Sequence, residues 1–109
     1  MDELDDAGAS VGSVDVTVDA TGVPVIKLSG EIDMSNVESF RGAIDALVET
    51  THERVDFDLS ALDFMDSSGI ALLLRVAAKT ETVRLLQASS LVRRLIEATG
   101  LTDVLQVVP

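Results

Sequence analysis

The chain predicts an α/β fold: a single mixed, mostly parallel β-sheet with helices chiefly on one face, in the order β-β-α-β-α-β-α-β. Three observations predict it. Apolar spacing along the sequence switches repeatedly between a period of two and a period near 3.6. After an opening pair of strands, strand-like and helix-like stretches alternate, which calls for parallel pairing through right-handed crossovers. The length of 109 residues, with 47% hydrophobic and 25% charged side chains, suits one domain. So short a chain leaves little material for a second helical layer.

The elements follow in order. Residues 1–12, opening "MDELDDAGAS", are acidic and small, and read as a disordered tail before a domain spanning 13–109. "SVDVTVD" alternates Val14, Val16 and Val18 with polar residues, the pattern of a half-buried strand. "ATGVP" supplies a turn, and "VPVIKLSG" a second strand with Pro24 near its start. Met34, Val37, Phe40, Ile44, Leu47 and Val48 then recur at helical spacing. Ser35 with Glu38 three residues later forms a capping box, placing the helix start at Ser35. "RVDFDLS" alternates Val55, Phe57 and Leu59, and "ALDFMD" reads as a turn into the helix "SSGIALLLRVAAK". Apolar residues cover most of that helix's circumference, with Arg75 and Lys79 in its last turns, where cations favour the dipole. "TVRLLQ" is a strand. "SSLVRRLIEATG" is a helix capped by Ser89 or Ser90 and stopped at Gly100, and "DVLQVV" closes the sheet.

Composition excludes several functions. There is no cysteine, so disulfides and thiolate metal sites are ruled out. The formal charge of −11 argues against nucleic acid and against anionic membrane surfaces, and favours a partner with a basic or mixed surface. No stretch has the length and apolarity of a membrane helix. The N-terminus lacks the basic and apolar regions of a secretory signal, which makes the cytoplasm the expected location.

One stretch, "DFMDSSGIALLL" (Asp63–Leu74), interrupts an apolar run with an acid, two serines and a glycine. It lies where a helix begins. A helix N-terminus carries unpaired N–H groups and a partial positive charge, so Ser67 or Ser68 can cap it there. The same position tolerates a phosphate, and Gly69 permits close approach of backbone or partner. From spacing alone capping is the commoner use of such a serine, and both uses stay open.

The longer segment "LSALDFMDSSGIALLL" resembles the signature of the STAS domain family, specifically the bacterial anti-sigma-factor antagonists. "LSGEIDMSNVESFR" resembles that family's block before the first helix, and "SSLVRRLIEATGLTDVLQVVP" its third helix and last strand. The likeness covers about Val14 to Val108. It implies a binding module that a kinase-type anti-sigma factor phosphorylates on the first serine after the acid, which is Ser67, with Ser68 as runner-up. It further implies that Asp33, Asp66, Ser67, Ser68 and Gly69 meet the partner, and that a phosphatase resets the switch. Asp58 and Asp63 flank the same stretch. Asp63 reads better as a solvated or turn-capping charge, and Asp58 is left open. The family also carries a fourth helix after the last strand, whereas this sequence stops at Pro109.

Rival readings fare worse. A nucleophile elbow needs Gly-x-Ser-x-Gly, and Met65 stands where the first glycine belongs. The sole histidine, His52, precedes a strand, at the end expected to lie opposite Ser67, so no Ser-His-Asp constellation is expected and no enzyme. Asp33, Asp63 and Asp66 lack the spacing of a metal loop, and neither a Walker lysine nor a G-x-G-x-x-G stretch is present, so no cofactor is expected. Within the resembled family the alternative is a constitutive subunit of a transport or signalling assembly, its serine only a helix cap.

Overall fold

The computed structural model describes residues 12–48 and 53–108, the side chains of 47 and 48 excepted; the acidic tail up to residue 11 and His52 lie outside these. The elements are β1 (Gly12–Val18), β2 (Pro24–Ile32), α1 (Val37–Val48), β3 (Arg54–Met65), α2 (Ser67–Ala77), β4 (Thr82–Leu86), α3 (Ser90–Thr99) and β5 (Leu105–Val108). The sheet runs β1-β2-β3-β4-β5. β1 is antiparallel to β2, and the other three pairs are parallel. Because strand order follows chain order, every right-handed crossover advances the same way, which lays all three helices on one face. Ile26, Leu28, Val55, Phe57, Val83, Leu85 and Leu105 are buried beneath the helices' Phe40, Ile44, Leu73, Val76, Val92 and Ile96. This is the predicted architecture.

The opposite face of the sheet mixes charged side chains with half-buried Val25 and Leu86, and one carboxylate on it is buried. Asp56 is 3% exposed. The Nε atoms of Arg54 and Arg84 each stand 3.3 Å from its Oδ1. A carboxylate taken out of water persists only when paired, and two guanidiniums do so here.

Four expectations need correction. β1 starts at Gly12, inside the stretch read as tail, and of its valines only Val14 packs against the core. Val16 and Val18 are 44% and 64% exposed. β1 is an edge strand, and Phe40 of α1 lies against its Gly12 end, far from Val18. Second, "ALDFMD" is not a turn, since β3 continues through it to Met65. The register with β2 slips twice, between Lys27 and Ser29 and between Gly30 and Glu31, each time admitting one extra residue on β3. Each bulge reverses which residues face the core. The buried positions therefore run Val55, Phe57, Leu59, then Leu62, then Met65, and simple alternation is lost. Gly30 takes φ +83° at the second slip, a left-handed backbone suited to glycine. Third, α1 does not start at a Ser35–Glu38 box. Asp33 Oδ1 accepts from the Ser35 N–H and Asn36 Oδ1 accepts from the Asp33 N–H, so the reciprocal pair sits two residues earlier. Glu38 instead pairs with Arg41 at 2.8 Å. Fourth, Arg75 does more than face a helix dipole. Its guanidinium grips Asp45 of α1 through two bonds of 2.8 and 3.0 Å, tying α1 to α2. The last helix agrees with expectation: Ser89 caps α3 by accepting from the Val92 N–H, and Gly100 ends it.

Candidate phosphorylation and docking site

β2 and β3 extend well beyond β4, while β1 follows β2 as far as Gly12 opposite Gly30. Pairing of β3 with β4 ends at Asp58 and Leu86, whereas pairing with β2 continues to Ile32 and Met65. The two strand ends form a projecting arm, and the chain leaves it directly into α2. The Asp66 N–H donates to the Ile32 carbonyl at 3.2 Å, so the helix start is pinned to the end of β2.

Asp66 is the N-cap of α2. Its Oδ1 accepts from the Ser68 N–H at 2.8 Å, and its carbonyl accepts from the N–H groups of Gly69 and Ile70. The capping role weighed for the serines thus belongs to the acid before them. Ser67 is the first helical residue and is exposed, Ser68 is half-buried and Gly69 is buried. Among the described residues the Ser67 hydroxyl has no hydrogen-bond partner within the chain. Gly69 makes this placement possible. A Cβ there would run into Met65 Cγ and approach Met65 Sδ to 2.6 Å, so only glycine lets α2 begin this close to the arm.

Asp33 follows β2 at the same end. Beside accepting from the Ser35 N–H, its Oδ1 takes a bond from the Ser35 hydroxyl. The Ser35 hydroxyl first, then its backbone N–H, hold this carboxyl below the usual value of 3.8, against a small opposing effect of burial. It stays charged at neutral pH. The Asn36 amide donates to the Glu31 carbonyl at 2.7 Å and completes a rigid turn.

The structure therefore brings Asp33, Asp66, Ser67, Ser68 and Gly69 together. Asp63 is exposed at the second bulge, on the same arm. Asp58 is not part of the group. It lies lower on β3, where its carboxylate accepts from the Ser60 N–H at 2.9 Å and closes the first bulge. That bond, with the Ser60 side chain, holds its carboxyl below the usual value. Beside Ser68 a groove of about 330 Å³ runs between α1 and α2, lined by Val37, Arg41, Ala71, Leu72 and Arg75. Among the described residues no set of three or more His, Cys, Asp or Glu is arranged around a metal position, and no helix is long and apolar enough to cross a membrane.

Two residues at this end escaped the reading of the sequence. Met34 is 80% exposed and Phe64 is 40% exposed. Helical spacing assigned Met34 to the core of α1, which begins only at Val37. The signal for Phe64 was its place between Leu62 and Met65, both buried, which leaves it out of phase with the core.

The STAS domain model matches residues 16–109, and the chain belongs to this family. The members it is similar to are anti-sigma-factor antagonists. It is 37% identical over 82 residues to the anti-sigma F factor antagonist of Lysinibacillus sphaericus, covering 71% of this chain and 70% of that one. Among solved structures it superposes on an anti-sigma factor antagonist from Mycobacterium paratuberculosis with a TM-score of 0.82, at 30% identity, over 93% of this chain and 88% of the other. It is also similar to the Bacillus cell fate determinant SpoIIAA in its phosphorylated form. That match has a TM-score of 0.64 and 25% identity, over 89% of this chain and 92% of the other. The family read from "MDSSG" and "SGEID" holds.

Proposed function

We propose that this chain is an anti-sigma-factor antagonist, a cytoplasmic binding module whose docking on a kinase-type anti-sigma factor is switched by phosphorylation of Ser67. The observation that carries this reading is the uncovered Ser67 hydroxyl at the first position of α2, relieved of capping by Asp66. A kinase can reach the hydroxyl, and the helix does not need it. The kinase supplies ATP and magnesium; the γ-phosphoryl passes to the serine oxygen, ADP leaves, and the hydroxyl proton goes to the kinase's base. This chain contributes position, not catalysis.

Unmodified, Ser67 is a small neutral group that a partner can close over. The phosphate adds a charge of about −1.5 to −2 and three acceptor oxygens. It does so on a face that already carries Asp33 and Asp66, so closing the interface would require stripping water from a strongly anionic patch. The exposed N-terminus of α2 accommodates the phosphate in the free protein. No refolding is required, and a phosphatase restores the neutral surface.

The test is binding of purified kinase-type anti-sigma factor by four proteins: wild type, Ser67→Ala, Ser67→Asp and Ser68→Ala. Ser67→Ala is expected to bind as tightly as wild type before and after incubation with ATP. Ser67→Asp should bind at least tenfold more weakly, and Ser68→Ala should still lose affinity after ATP. Equal binding by Ser67→Asp, or loss of wild-type affinity that Ser67→Ala does not prevent, would reject the switch. Affinity that ATP leaves unchanged in every protein would make the chain a constitutive STAS subunit, and a loss that only Ser68→Ala prevents would move the site to Ser68.

A further inference from the structure

The exposed pair Met34 and Phe64 goes beyond this switch, although the argument rests on the antagonist reading of the Ser67 site. We propose that these two side chains are the apolar anchors of the docking surface. Their occupant is an apolar pocket on the anti-sigma factor, rimmed by basic side chains.

Single exposed apolar residues are ordinary on protein surfaces. These two are neither scattered nor loosely held. Phe64 opposes Glu31 in register, and Met34 stands three residues beyond Glu31, in the turn that leads from β2 to α1. That turn is locked by the bonds of Asp33 and Asn36, and the Asp66 N–H joins the strand ends at the Ile32 carbonyl. Anchors on fixed backbone lose little freedom on binding. Nor is Phe64 part of the buried core. The second bulge on β3 brings Met65, 3% exposed, into the core and leaves the aromatic ring facing outward. Aromatic residues and methionine are the types enriched at interface centres.

Charge identifies the rim. Glu31, Asp33, Asp63 and Asp66 share this end, and none of them enters the ion pairs found among the described residues. The arginines of the neighbouring groove are already engaged, Arg41 with Glu38 and Arg75 with Asp45. Four carboxylates outside those ion pairs, at the same end of the sheet as the two apolar side chains, are complemented by cations around a pocket. The arrangement also specifies how phosphorylation acts. A phosphate on Ser67, at the same end as the apolar anchors, must be desolvated when the pocket closes over that end, a cost that salt does not screen away.

The experiment measures affinity for the purified kinase-type anti-sigma factors of the source organism, using wild type, Met34→Ala, Phe64→Ala and Val18→Ala. Val18 is 64% exposed, at the other end of the sheet, and serves as the apolar control. Phe64→Ala is expected to weaken binding about tenfold or more and Met34→Ala severalfold, with Val18→Ala unchanged. Met34 is so exposed that its truncation leaves the thermal unfolding midpoint unaltered, which keeps the test valid should Phe64→Ala fold poorly. The loss on Ser67 phosphorylation should persist at high salt. Wild-type binding matched by Met34→Ala and Phe64→Ala, or a phosphorylation effect that vanishes at high salt, overturns the anchors and leaves the antagonist reading standing. Absence of wild-type binding overturns both.

Discussion

The two ends of the sheet use the same local chemistry for different results. At the lower end, where β1 turns into β2, the Asp19 carboxylate accepts from the Thr21 N–H, the Thr21 hydroxyl and the Val23 N–H. At the upper end Asp33 does the same with Ser35, and Asp66 takes the Ser68 N–H. The lower end has the larger hollow, about 510 Å³, lined by Thr21, Gly22, Val23, Pro24, Glu53, Arg54, Glu81 and Thr82. Yet Arg54 there is tied to Asp56, and the hollow is open between turns. At the upper end the groove is smaller, but two bulges, a left-handed glycine and a close helix approach combine to hold one uncovered hydroxyl. Cavity size therefore points away from the site proposed at Ser67. Costly local irregularity points to it.

Four changes sharpen this contrast. The largest effect is expected from Gly69→Ala, whose methyl collides with Met65. It should cost about 1–3 kcal/mol in urea unfolding, with hydrogen exchange accelerated at the start of α2 and unchanged at the Asp19 turn. A fully stable variant would mean that the arm and helix are less closely fitted than described. Asp66→Ala removes the cap and should cost about 1 kcal/mol, whereas Ser67→Ala should lie within about 0.5 kcal/mol of wild type. Reversal of that order would return the capping role to the serine. Gly42 lies in α1 with open space around it, so Gly42→Ala should stabilise by about 0.5–1 kcal/mol.

The smallest effect is a pH dependence common to both ends. Asp19 is held below the usual 3.8 chiefly by the Thr21 hydroxyl, and Asp33 chiefly by the Ser35 hydroxyl. A carboxyl depressed in the folded state stabilises it above the unfolded value, and that contribution disappears as pH falls through the folded value. Asp19→Asn and Asp33→Asn should therefore be less stable than wild type at pH 7, with the difference closing below about pH 4. A gap that persists or widens in acid would contradict the assigned hydrogen bonds.

Much of this was legible in the sequence, because strand and helix periods, the Ser89 cap and the Gly100 stop are local signals that tertiary packing did not override. β3 was legible only to Ser60. Beyond it the bulges reverse the inward face at Leu62 and again at Met65, and a period-two pattern with two insertions reads as a turn. The start of α1 and the cap of α2 were misassigned for a related reason. Asp19-x-Thr21, Asp33-x-Ser35, Asp58-x-Ser60 and Asp66-x-Ser68 all place an acid two residues before a hydroxyl residue, and in each the acid accepts the backbone N–H two residues on. Reading that recurrence as Asp-led turns would have moved the α2 cap from serine to Asp66 and placed a turn at Asp33 ahead of α1. The proposed anchors Met34 and Phe64 were harder to see. Their apolar character signals core, and only the register of β3 and the true start of α1 place them outside.

The central claim is tested most directly by treating the purified protein with the kinase-type anti-sigma factor proposed as its partner and ATP, then locating the phosphate by fragmentation mass spectrometry. One phosphate on Ser67, with Ser68 unmodified, is the result expected from an exposed first-turn hydroxyl beside an aspartate cap. Phosphate on Ser68 or elsewhere, or none at all with an active kinase, would contradict it.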